Sequence, residues 1–289
     1  MITLENEHLI VSISNKGAEM TSLFSKETNT EHLWQANPDI WEWHAPNLFP
    51  VVGGCINNQI IIDGIAYPMQ RHGFARHSEF ILIESDETYA KFSLSQDEKT
   101  MAVYPYKFSF QILYNLAGSE LRVTFKVINY DDKAIHFGVG GHPGFNVPFV
   151  AGEAQEDYFL EFEYHEPLNK HLLSPGGFYS GDTETVRLEG KTMPLSQNLF
   201  AKDALVFKDL KSRKVSLKSK NHPHSVSIEY PHFNYLGVWS KSGAPFVCLE
   251  PWIGCADTEG EITEFSKKEA IHTLEKGHVF EADFTISVN

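Results

Sequence analysis

The segment Val247-Cys248-Leu249-Glu250-Pro251-Trp252 sets one carboxylate in an otherwise apolar run that reads as a buried β-strand entering a turn. An ionised side chain taken out of water without partners either shifts its pKa or is held by something that uses it. Glu250 is therefore the first candidate for chemistry. Other reactive residue types gather in three places: Pro46 to Gly54 continuing after a hairpin into Arg71-His72-Gly73-Phe74-Ala75-Arg76, then Gly138-Val139-Gly140-Gly141-His142-Pro143-Gly144-Phe145-Asn146, and then Leu236-Gly237-Val238-Trp239-Ser240. Each alone reads as loop punctuation around a hydrogen-bonded structural residue. Together they supply the inventory of a polar pocket for a sugar. A pyranose offers apolar C–H faces, which Trp239, Trp252 and Phe145 suit, and a ring of hydroxyls, which His72, Arg71, Arg76 and Asn146 suit.

Period-two alternation supplies the elements that must position these residues. Leu121, Val123, Phe125 and Val127 share one face of a half-buried strand, and Arg122, Thr124 and Lys126 the other. The pattern returns at Phe108, Phe110 and Ile112, at Val226, Ile228 and Tyr230, and at Phe280, Ala282, Phe284, Ile286 and Val288. Asp63-Gly64, between Ile60-Ile61-Ile62 and Ile65-Ala66-Tyr67, fits a type I′ hairpin turn, and Gly118-Ser119 punctuates two strands similarly. Helical periodicity is weak, with short candidates at Gln197 to Lys202 and Lys267 to Glu275. Val150 to Asn198 reads as elaborated loops. The expected fold is all-β, a large antiparallel β-sandwich with few short helices, formed by residues 1–289 as a single domain.

Composition narrows the partners. The 289 residues are 42% hydrophobic and carry a net charge of −14, with no consecutive basic block. Such a surface repels phosphate backbones and anionic lipid, so neither nucleic acid nor membrane is expected as a partner. No basic leader followed by an apolar stretch opens the sequence, and the three cysteines form no C-x-x-C pair, so the expected location is cytoplasmic. His222-Pro223-His224 is an alternating pair, but no third ligand stands at a telling spacing, and no metal or cofactor is expected. Monomer and homodimer are both compatible with the sequence.

His72-Gly73-Phe74-Ala75-Arg76, Gly141-His142-Pro143-Gly144-Phe145-Asn146 and Cys248-Leu249-Glu250-Pro251-Trp252, in this order, resemble the motifs of the aldose 1-epimerase (galactose mutarotase) superfamily, in its LacX-like branch. The resemblance spans nearly the whole chain. It implies a β-sandwich whose open sheet face forms a sugar cleft, and an isomerase that interconverts the α and β anomers of an aldose without a cofactor. It assigns Glu250 as the base at the anomeric hydroxyl, His142 as the acid at the ring oxygen, and His72 and Trp239 as cleft residues. One departure stands out: relatives often carry an arginine after the glycine matching Gly53, where this chain has Gly54-Cys55. Arg71 or Arg76 is the expected compensation, or the substrate differs. Arginine forks also suit phosphate, which keeps epimerisation of a hexose 6-phosphate open, and a non-catalytic sugar-binding protein is the alternative from another class.

Overall fold

A computed structural model describes every residue except Gln197. Two large antiparallel sheets dominate. One has nine strands, in the spatial order Thr192–Pro194, Tyr158–Phe162, Lys214–Ser219, Ser225–Glu229, Val279–Val288, Glu120–Asn129, Phe108–Ala117, Tyr89–Ser95 and Ile81–Ser85. The other runs Tyr179–Val186, Leu168–Leu173, Leu205–Lys208, Tyr235–Trp239, Phe246–Ile253, Val139–Gly141 and Asn47–Leu48, with Gly144–Asn146 also paired to Phe246–Ile253. A four-stranded sheet is built from the strands between Ile2 and Glu31.

The alternation read from sequence is the packing rule of the nine-stranded sheet. Leu121, Val123, Phe125 and Val127 are buried while Arg122, Thr124 and Lys126 are not, because successive side chains of a strand leave opposite faces. Aromatic contacts join the two layers: Phe49 stacks on Phe110 with ring centres 4.5 Å apart, and Phe162 meets Phe207 edge-on at 6.3 Å. One continuous cluster of buried apolar residues runs from Leu4 to Val288. The Asp63-Gly64 turn has φ of 53° and 76°, as a type I′ hairpin requires, and pairs Ile62 with Ile65. Gly118-Ser119 closes the hairpin that pairs Ala117 with Glu120.

Three expectations are corrected. Val150 to Asn198 is not mainly loop, since it supplies strands to both large sheets. Lys267 to Glu275 forms no helix. A 3₁₀ turn over Phe265–Lys267 gives way to the strand His272–Leu274, which pairs with Ile135–Phe137, and Ala270 takes a left-handed φ of 57° between them. Strand pairing there outweighs a weak helical propensity. Within Gln197 to Lys202, Gln197 lies outside the described residues, and Asn198 to Lys202 forms turns. Among the described residues the α-helix is one turn, Glu98–Met101, closed by a capping box of Asp97 and Thr100.

Candidate active site

The strand Phe246–Ile253 is apolar on both faces because it is covered on both. Val247 and Leu249 join the core between the large sheets. Phe246, Cys248, Glu250 and Trp252 therefore point to the opposite face, where a cleft of about 240 Å³ opens. Register then fixes the catalytic candidates. Gly140 pairs with Trp252 and Gly144 with Cys248, so the intervening turn holds His142 beside Glu250. His142 Nε2 lies 3.1 Å from Glu250 Oε2, and the residues are 8% and 1% exposed. Trp41 stacks on the His142 ring at 5.1 Å and Trp239 meets it edge-on at 5.8 Å.

Burial works on the pair in opposite senses. Loss of water raises Glu250 well above its ordinary value, with nearby Asp203 adding to the effect. The same loss, with the positive Arg76 adding to it, lowers His142 to about 3. Burial thus favours the neutral form of both groups in the empty cleft, a protonated carboxyl facing a neutral imidazole. Glu250 Oε2 has no well-aligned hydrogen bond, although the Trp252 side chain lies close enough to favour its charged form somewhat, and His142 Nδ1 is buried without a partner. A short proton transfer converts this tautomer into carboxylate and imidazolium, with no change in net charge.

His72 is held in a left-handed conformation, φ 67°, by a reciprocal contact. Its N–H donates to the Gly53 carbonyl at 3.0 Å, and its Nδ1 accepts the Gly53 N–H at 3.2 Å. Burial, then His142 and the two arginines, lower its pKa well below the ordinary value. A neutral ring accepting at Nδ1 carries its proton on Nε2. His72 meets the His142 ring edge-on at 5.6 Å, so it is a fixed neutral group at the cleft.

Arg71 and Arg76 both line the cleft. Arg71 Nη2 donates to the Gly176 carbonyl at 2.8 Å, and a Cβ added at Gly54 would stand 3.5 Å from that nitrogen. The guanidinium thus occupies space into which a side chain at position 54 would project. A Cβ at Gly177 would come within 2.2 Å of the same nitrogen, so glycine is required there for Arg71 to lie flat. Arg76 packs on the Trp43 ring at 5.1 Å and donates to the Arg71 carbonyl at 3.0 Å. Among the described residues neither arginine is ion-paired to a carboxylate.

Trp239 and Trp252 line the cleft, but Phe145 and Asn146 do not. Phe145 is fully buried in the main core. Asn146 spends its amide on the carbonyls of Glu31 and Leu33, at 2.9 and 3.0 Å, tying the N-terminal sheet to the site strand. Trp41, Asp203, Leu173, Gly177 and Tyr179 line the cleft without having been singled out in the sequence. The Trp41-Glu42-Trp43-His44 cluster was the available signal for Trp41. Glu19 anchors that segment by accepting the backbone N–H groups of His44 and Ala45 at 2.8 and 2.9 Å.

The two-layer β-fold thus holds a buried His–Glu pair in an aromatic and arginine-lined cleft, the layout of a pocket for a small polar ligand. The sequence model of the family described as aldose 1-epimerase matches residues 1–264, and the chain belongs to that family. It is 36% identical over 274 residues to the chromosomal protein LacX of Lactococcus lactis subsp. lactis, covering 91% of each chain. A galactose mutarotase related enzyme from Lactobacillus acidophilus shares the fold with a TM-score of 0.95 at 34% identity, over 100% of this chain and 97% of that one. A galactose mutarotase-like protein from Lactobacillus casei gives 0.94 at 32% identity, over 100% of both chains.

Proposed function

We propose that this protein is a cofactor-independent aldose 1-epimerase acting on a hexose or a sugar derivative, with Glu250 and His142 as its acid–base pair. The observation that carries the reading is the 3.1 Å separation of His142 Nε2 and Glu250 Oε2 at the cleft. Hydroxyls of a bound sugar supply the hydrogen-bond donors that Glu250 Oε2 lacks in the empty site, which favours the carboxylate–imidazolium tautomer. Glu250 then removes the proton of the anomeric hydroxyl while His142 protonates the ring oxygen, and the C1–O5 bond opens. Rotation about C1–C2 and reversal of both transfers close the ring on the other face. His72 donates to a hydroxyl or carbonyl oxygen, and Trp239 covers a C–H face of the ring. A positioned acid or base contributes on the order of 10²–10⁴-fold.

Saturation-transfer NMR or polarimetry on a panel of aldoses tests this. Glu250→Gln and His142→Ala are each expected to slow anomer exchange by about 10²-fold or more. Wild-type protein no faster than buffer on every sugar overturns the reading.

The unpaired arginines favour a second reading, in which the substrate carries a phosphate that Arg71 and Arg76 bind. Comparison of a hexose with its 6-phosphate at matched concentration separates the two: preference for the free sugar rejects the phosphate form.

A further inference from the structure

The acid–base reading uses two members of a three-donor cluster. His142, Cys248 and Glu250 each offer one ligand atom, these atoms all lie within 4.8 Å of one another, and all three residues are buried. Cys248 and Glu250 stand two apart on one strand and so share a face. His142 reaches them from the neighbouring turn. Glu250 is 1% exposed and its Oε2, 3.1 Å from His142 Nε2, has no well-aligned hydrogen bond, so the cluster contains a poorly satisfied oxygen beside a thiol and an imidazole.

Imidazole nitrogen, thiolate sulfur and carboxylate oxygen are zinc ligands, and catalytic-type sites combine three of them with one open position. Bonds of 2.0–2.3 Å at tetrahedral angles place donors roughly 3.3–3.8 Å apart. Closing this cluster on an ion thus needs shifts of about 1 Å or less. His142 and Glu250 line the cleft while Cys248 does not, so an ion enters from the cleft and its open position faces back into it.

We propose that His142, Cys248 and Glu250 form a binding site for a thiophilic divalent cation of the zinc class, and that its occupancy switches off the acid–base pair. The second half rests on the epimerase reading; the first does not. Ligation needs a thiolate, a carboxylate and a neutral imidazole, so any proton on these groups leaves to solvent, and no oxidation or reduction is involved. Held on the ion, the imidazole nitrogen and the carboxylate oxygen are no longer free to exchange a proton with a sugar. Two anionic ligands match the charge of the ion.

Chelator-treated full-length protein titrated with Co²⁺ tests the site. One equivalent is expected to bind with a thiolate-to-cobalt charge-transfer band, and Zn²⁺ should displace it. Cys248→Ala should abolish the band and weaken binding by at least about tenfold; Cys248→Ser, of nearly native volume, checks the result if alanine impairs folding. The Cys55→Ala/Cys255→Ala protein, lacking the two other free thiols, should keep the band. No band, or a band that survives Cys248→Ala, overturns the site. Anomer exchange measured in parallel should slow with Zn²⁺ and recover with chelator in wild type. If exchange is fast and Co²⁺ binds without slowing it, the switch is overturned; if no sugar is interconverted at all, the band still decides the site.

Discussion

At the scale of single residues, burial sets the chemistry. A second proton enters the His142–Glu250 pair only as His142 titrates, and burial has pushed that to about 3. The rate should therefore stay flat from about pH 5 to 7 and fall on the alkaline side, where the shared proton is lost. An acid limb at the ordinary histidine value of 6.5 in kcat/KM would contradict this. His32 poses a stability question of the same kind. It is 1% exposed, neither ring nitrogen has a partner, and burial followed by His224 and His222 lowers it to about 4. Unfolded chain binds this proton near 6.5 and folded chain only near 4, so stability is full above the first value and falls as pH drops toward the second. The loss is on the order of 3 kcal/mol. Urea midpoints at pH 4.5 and 7 should therefore differ less for His32→Phe than for wild type; equal losses would reject the assignment. Glu250 was legible from its apolar neighbours, and His142 through the resemblance. Their resting protonation was not, because it depends on packing from several elements.

Elements explain which neighbours of a motif reach the cleft. Phe145 and Asn146 stand close to His142 in sequence, yet strand alternation sends Phe145 into the core, and the N-terminal sheet captures Asn146. Proximity in a motif says nothing about which face a side chain takes. Asn146→Ala should thus lower stability by about 1–3 kcal/mol in denaturant titration while leaving KM for sugar within error; a raised KM with normal stability would restore the residue to the site. Glycine sets the other boundary. Trp252 lies across Gly140 and Gly237, where an added Cβ would approach its ring to 2.6 Å in each case. Gly237→Ala should cost about 1–3 kcal/mol by overpacking and raise KM, as read by thermal unfolding and exchange kinetics. Strands and hairpins were readable because period two and turn chemistry are local. The Lys267 to Glu275 segment was not, because its partner strand, Ile135–Phe137, is remote in sequence.

Over the whole molecule, the buried cluster from Leu4 to Val288 includes residues of the small N-terminal sheet and of both large ones. Cooperative unfolding in one step is the expected result, with calorimetric and van't Hoff enthalpies in agreement; a separate early transition of the N-terminal sheet would contradict it. That sheet also props the site. Asn47 donates to the carbonyls of Gly17 and Ala18 at 3.0 Å each, and Tyr114 donates to Ala18 at 2.6 Å, fixing the strand beside Gly141. The sandwich was visible in sequence, but the loops that wall the cleft were not, since Trp41 and Asp203 come from segments without periodicity. Of the five tryptophans in the chain, Trp41, Trp239 and Trp252 line that cleft. The protein consequently carries its own optical gauge: indole emission should change as the cleft fills, giving a label-free titration of any sugar, including one that is bound and never turned over.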